Sequence, residues 1–201
     1  LNFIPKNRIN DVCLFDPEDI SNPASLNPFS NVDPTFRHQF AQSIVEILQK
    51  QFGNDWNPRI EHVIRFSVLA LLDCKNATLR GMIRILTDES YRQKIIENIS
   101  DDMVRHFWKS EFTEWSKKFD TEVIIPIVNK LWQFLSNPML VNIFGQKKNK
   151  IDLEKIMNEQ KILLINLAKD KIGDENSSFL GALFMTKIKQ AGMSRAKLNQ
   201  N

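Results

Sequence analysis

Glycine and proline are scarce in this chain, 6 and 8 residues of 201. A sandwich or barrel needs a tight turn every few residues, so an all-β architecture is excluded. Cysteine is scarcer still. Cys13 and Cys74 lie far apart and form no CxxC pair, which suits reduced thiols in a cytosolic compartment better than a disulfide framework. No run approaches the roughly 18 apolar residues of a membrane span. The opening Leu1-Asn2-Phe3-Ile4-Pro5 offers neither the charged nor the apolar region of a signal peptide. An excess of one charge is also lacking: 27 basic residues face 24 acidic ones, and a net charge of +3 does not by itself announce a nucleic-acid binder. His38, His62 and His106 show no HxxxH spacing and no cysteine partner, so no metal site is expected. No nucleophile elbow marks a Ser-His-Asp site.

What is present is a 42% hydrophobic chain, enough for one good core or a small core with an appended helical layer. Val12 to Phe15 is apolar throughout and runs into Asp16-Pro17-Glu18-Asp19. A short apolar run closed by turn residues predicts a buried strand of a parallel sheet. A loop from Ile20 to Asp33 follows. The period then becomes helical. Asp33-Pro34 and Asn57-Pro58 are cap-plus-proline starts. Phe40, Ile44, Ile47, Leu48 and Phe52 share one face up to Gly53, and Ile60, Val63, Ile64, Val68, Leu71 and Leu72 share the next. Thr78, then Thr87 or Asp88, then Ser100-Asp101-Asp102 open further helices. Thr121 to Leu135 reads as helix with Pro126 near its start, and Asn137-Pro138 caps a last short turn ending near Gly145. Ile162 to Leu167 is the second strand, Ala168 to Ser178 a polar loop, and Phe179 to Met193 the apolar face of a final helix.

The order is therefore strand, loop, about six helices, strand, loop, helix. The expected fold is α/β but mostly helical. It comprises a partial parallel sheet from 1–33 and 151–201, with a large all-α insertion at 34–150 between its strands. The segments around Leu14 and Leu164 should be neighbours in that sheet. Two strands alone make no stable sheet. Both chain ends, Leu1 and the polar Asn199-Gln200-Asn201, read as cuts in a longer protein.

Several stretches carry a resemblance. They are Ile4-Pro5-Lys6-Asn7-Arg8 with Val12 to Asp19; Leu26-Asn27-Pro28-Phe29; Trp56 to Asp88; Phe107-Trp108 with Glu111-Phe112; Pro126-Ile127; Phe134 to Pro138; Ile143 to Gln146; and Lys161 to Ala168 with Gly173-Asp174-Glu175, Ser177, Leu180-Gly181 and Ser194-Arg195. In this order they are similar to the conjugative (type IV secretion) coupling-protein and HerA/FtsK-like branch of the P-loop DNA-translocating ATPases. The resemblance implies a RecA-like motor sheet with the all-α insertion between its Walker A and Walker B strands. It implies a parent protein that uses ATP and Mg²⁺, acts on DNA and assembles as a homo-oligomer, a hexameric ring. Secretion or relaxosome-type proteins would be further partners. The location would be cytoplasmic, either free or at the cytoplasmic face of a membrane.

The chain departs from that pattern where the chemistry lies. It has no GxxxxGK[ST], whose backbone amides and lysine cradle phosphates, and no apolar strand ending in Asp-Glu to hold magnesium. ATP hydrolysis is thus expected of a parent protein and no cofactor is expected for these residues alone. Three candidate sites remain. Arg195 is either an arginine finger acting across a subunit boundary or a solvated or DNA-facing arginine. The loop Lys169, Gly173, Asp174, Glu175 follows a strand's carboxyl end, where open α/β sheets bind ligands, and is either a subunit-interface, nucleotide-proximal element or a plain connection. Lys147, Lys148 and Lys150 are either a DNA-phosphate patch or a solvated turn. The aromatic group Phe107, Trp108, Phe112 and Trp115 has the spacing of a packed helix face rather than a base-stacking platform. The rival functions are a helical protein–protein adaptor and a helical DNA-binding module, neither with nucleotide chemistry.

Overall fold

The computed structural model describes residues 3–19 and 23–198. The readings of Leu1, Asn2, Ile20 and the tail 199–201 lie outside these residues. The two apolar runs form strands β1 (Val12–Phe15) and β2 (Ile162–Ile165). They pair in parallel, with Val12 opposite Ile162 and Phe15 opposite Ile165. The amide of Asn166 extends the ladder by donating to the Phe15 carbonyl at 2.9 Å. At the other end, Arg8 ion-pairs with Asp11 at 2.7 Å and also donates to the Gln160 carbonyl, which holds the two strand entrances together.

Both strands read as buried on two faces, and here the structure differs. Phe15 is fully buried against Phe184, with ring centroids 4.4 Å apart, but Leu14 is 52% exposed. All of β2 is half-buried. The reason is geometric. Successive side chains point to opposite faces of a strand, and the helix carrying Phe184 supplies cover on the Phe15 side.

The helices begin where short polar side chains cap them. Asp33 accepts from the Thr35 amide and starts a 3₁₀ turn, Pro34–Phe36, that leads into α1 (Arg37–Phe52). Asn57 accepts from the amides of Arg59 and Ile60 at the start of α2 (Pro58–Leu72). Asp88 caps α4 (Glu89–Ile96), Asp101 caps α5 (Asp102–His106), and Asn137 caps α8 (Pro138–Phe144). Each oxygen satisfies an amide that the helix leaves without a partner. Thr78 makes no such bond at the start of α3 (Leu79–Thr87). The ion pair of Arg37 with Asp73, at 2.9 Å, ties the start of α1 to the end of α2, and the Ser100 amide and hydroxyl also donate to Asp73.

From Asp102 to Leu135 the chain is helical without a break. The separate helices expected here are segments α5, α6 (Phe112–Phe119) and α7 (Ile125–Leu135), joined by wide π-helical turns at Phe107–Glu111 and Asp120–Ile124. Pro126 accounts for the second turn. Its ring has no N–H and would collide with the carbonyl four residues back, and widening the turn before it relieves that conflict.

Two short helices were not foreseen. Asp152 caps α9 (Leu153–Asn158) just ahead of β2, and α10 (Lys169–Ile172) occupies the stretch read as loop. The last helix, α11 (Asp174–Leu198), starts several residues earlier than its apolar face suggested. One buried cluster runs from Phe15 through α1–α8 to Phe184, so the core passes between sheet and helical layer without interruption. Among the described residues no helix is long and apolar enough to cross a membrane.

Candidate functional site

The carboxyl ends of β1 and β2 meet in a polar knot. Asn166 donates from Nδ2 to Asp16 Oδ1 at 3.1 Å, and its own Oδ1 accepts the Ala168 amide at 2.9 Å. The Glu18 amide also donates to Asp16 Oδ1. Ala168 adopts a left-handed conformation, φ 48°, which turns the chain sharply into α10. Gly173, at φ 81° and ψ 163°, turns it again into α11, in a backbone region open to glycine. Asp174 and Glu175 then lie in the first turn of α11, where acidic side chains offset the helix dipole.

Three charges of this segment are engaged within the protein. Lys169 ion-pairs with Asp174 at 3.2 Å. Glu175 is gripped from α7 by Lys130 at 2.5 Å and by Gln133 at 2.8 Å. Glu175 thus braces the edge against the helical layer, while Asp170 and Lys171 have no ion-pair partner among the described residues.

Arg195 is remote from that edge. Twenty-one residues of continuous helix separate it from Asp174, about 30 Å at the rise of an α-helix. Arg195 and the 169–175 segment of one chain therefore cannot grip the same small ligand. A finger role for Arg195 requires a neighbouring subunit.

The lysine run at 147–150 is anchored from beneath. Ser25 donates to the Lys148 carbonyl at 2.8 Å and accepts the Lys150 amide at 2.7 Å. Asn27 donates from Nδ2 to the carbonyls of Ala77 at 2.7 Å and Lys147 at 3.0 Å, while its Oδ1 accepts the Phe29 amide. Asn27 is 1% exposed, so its amide makes these bonds largely away from water, and a small side chain could not replace them. Asn27→Ala is expected to lower unfolding free energy by about 2 kcal/mol, measured by urea denaturation, whereas a loss under about 0.5 kcal/mol, the scatter of surface changes, would show the bonds to be dispensable.

Lys150 also borders a cavity of about 400 Å³ beside β1, together with Lys155, Lys161, Asp16, Asp19 and Asp152. Its lysines and carboxylates balance, and Lys161 is engaged by Glu159 at 2.8 Å, so the cavity has no net preference for an anion.

The aromatic group is core. Phe107, Trp108 and Phe112 are each 1% exposed. His62 stacks between Phe66 and Trp115, with centroids 4.3 and 5.4 Å away, and burial pushes its pKa down. Burial likewise pushes the Cys74 thiol up to about 11, which leaves it protonated and unreactive at neutral pH. No group of three metal-ligating side chains converges among the described residues.

Sequence reasoning missed two features here: the Asp16–Asn166 link, which joins positions far apart in the chain, and the role of Asn27 as a bridge between two loops. The Leu26-Asn27-Pro28-Phe29 turn was visible, but the carbonyls to which Asn27 donates lie on other segments. No protein-family model, no curated protein and no solved structure matches this chain.

Proposed function

We propose that this chain is part of a DNA-translocating ATPase of the conjugative-coupling or HerA-like type, supplying two neighbouring strands of a RecA-like sheet and the helical layer inserted between them. The observation that carries the reading is the parallel, in-register pairing of β1 with β2 across the whole helical layer. Parallel pairs occur almost only in α/β sheets covered on both faces, and a two-stranded sheet is marginal alone. The half-buried β2 and the exposed Leu14 leave one face of the sheet open, which fits a parallel sheet that takes a further covering layer.

On this reading ATP and Mg²⁺ are bound by parts of the protein that carry the phosphate loop and the magnesium carboxylate. The segment from Lys169 to Glu175 and Arg195 then lie at subunit boundaries of a hexameric ring, with Arg195 reaching a neighbour's phosphates. DNA is the polymer moved, and secretion or relaxosome-type proteins are the partners of the helical layer.

The test has two arms. The complete polypeptide encoded with this segment is expected to hydrolyse ATP faster when duplex DNA is added. The 201-residue chain alone is expected to bind ATP no more tightly than about millimolar by calorimetry. A micromolar dissociation constant for the chain, or a complete polypeptide that hydrolyses no ATP, overturns the reading and leaves a helical adaptor.

A further inference from the structure

We infer that a second cleft, between the α2–α3 turn, α4 and the loop after α8, binds the phosphodiester backbone of DNA through Lys75, Arg80 and Lys147. The inference deepens the reading above by giving the helical layer a DNA contact, and it rests on DNA being the ligand.

The cleft has a volume of about 350 Å³, and its charged lining residues, Lys75, Arg80, Arg84 and Lys147, are all cationic. That distinguishes it from the balanced cavity beside β1. Arg84 is already occupied: it pairs with Asp88 at 2.8 Å and lies over the Tyr91 ring at 4.1 Å. Tyr91 is in turn seated on Gly81, where an added Cβ would fall 2.8 Å from the phenol oxygen. One wall of the cleft is therefore fixed. The nearest preceding carboxylate in the chain, Asp73, is engaged by Arg37 and Ser100. Burial raises its pKa, but those hydrogen bonds outweigh burial and hold it below the ordinary carboxylate range, so it stays ionised and committed to Arg37. Lys75, Arg80 and Lys147 are exposed and have no ion-pair partner among the described residues.

The two rims of the cleft are held at a set separation. The Asn27 side-chain amide donates to the Ala77 carbonyl on one rim and to the Lys147 carbonyl on the other. Lys75 and Arg80 flank Ala77 in the chain, so a single buried amide ties together the two backbone segments that carry the three cations. Three unpaired cations around a concave, braced surface suit successive phosphates of a duplex, which lie along a fixed line and release counterions when neutralised. A free phosphate offers the same oxygens at one point rather than along a backbone.

The experiment is fluorescence anisotropy of a labelled duplex with the full chain across about 50 to 200 mM salt. The variant Lys75→Ala/Arg80→Ala/Lys147→Ala is expected to bind at least about tenfold more weakly and to flatten the slope of log K against log salt by roughly 2 to 3, near 0.9 per lost phosphate contact. The charge-preserving variant Lys75→Arg/Arg80→Lys/Lys147→Arg should keep the wild-type slope. A charge-matched control elsewhere, Lys50→Ala/Lys109→Ala/Lys117→Ala, should keep it too. Equal losses in the two alanine variants, no DNA binding by the wild-type chain at low salt, or displacement of the duplex by inorganic phosphate matched in ionic strength each overturn the cleft assignment. DNA-independent ATP hydrolysis by the complete polypeptide is the separate readout. Its presence with an unchanged salt slope removes the cleft alone. Its absence with a flattened slope removes the motor and leaves the cleft.

Discussion

Phe179→Ala is expected to lower the unfolding free energy by about 4 kcal/mol, at the severe end for a single substitution, and the melting temperature by roughly 10 °C in a chain of this size. Phe179 is 1% exposed. Its ring lies parallel to that of Phe134 at 4.0 Å and meets Phe144 edge-on at 5.8 Å. It is therefore the point at which α11 is fastened to both α7 and α8. Truncation removes an aromatic pair and leaves a cavity whose walls are helices already held by other contacts, so little collapse can compensate. Phe179→Leu refills much of that volume and should cost under half as much. Ile125→Ala is the comparison: that side chain is 42% exposed, and a loss within about 1 kcal/mol is expected there. Denaturation with matched m-values would decide, and a Phe179→Ala variant as stable as Ile125→Ala would mean that α11 is not docked through this stack.

The caps were the most legible part of the fold. Asp33, Asn57, Asp101 and Asn137 each stand before an apolar periodic run, and each makes the expected bond to a first-turn amide. A cap is a local device, so its residues carry the whole signal. The strands were legible for the same reason, Val12 to Phe15 as an apolar run closed by turn chemistry and Ile162 to Leu167 as a short apolar run between polar residues, of which Ile162–Ile165 forms the strand. Their exposure was not, because whether Leu14 is covered depends on what packs on its face and not on Leu14. The short helix α9 escaped notice because its buried residues, Leu153 and Ile156, make barely one turn of apolar period. The continuity of helix through Pro126 escaped for the opposite reason. Proline is a strong local signal for a boundary, and here the wide turn before it absorbs the conflict.

The sites follow the same division. Lys147, Lys148 and Lys150 drew attention as a run, yet the structure spends them on different surfaces: Lys147 on the cationic cleft and Lys150 on the balanced cavity beside β1. The cleft itself is assembled from the α2–α3 turn, α4 and the loop after α8, and no window of sequence contains it. Segment 169–175 follows the carboxyl end of β2, as the sequence order implies. That Glu175 is held depends on Lys130 and Gln133, which lie on another helix.

A lysine that drew no attention in the sequence is the one whose titration should be felt most. Lys187 is 4% exposed on α11, and its ammonium donates to the carbonyls of Pro28 and Ser30, with no ion-pair partner among the described residues. Burial pushes its pKa down to about 8, with Glu154 offsetting only part of that. In the unfolded chain the same group titrates near 10.5. Between those values the unfolded state holds the proton and the folded state does not, so stability rises with pH through this window. Below about 8 both states are protonated and the contribution is flat; above about 10.5 both are neutral. The full rise amounts to about 3 kcal/mol. Cys74 and Tyr91 act in the opposite sense, since burial raises both of their pKa values in the fold and stability falls as the unfolded groups ionise. The quantity to measure is therefore the difference between wild type and Lys187→Met, in which those opposing contributions cancel. Unfolding free energies from pH 7 to pH 11 should show that difference moving by about 3 kcal/mol in favour of the wild type as pH climbs. A difference that holds constant over the range would mean that the ammonium reaches water and that the contact of α11 with the 28–30 turn is looser than its geometry indicates.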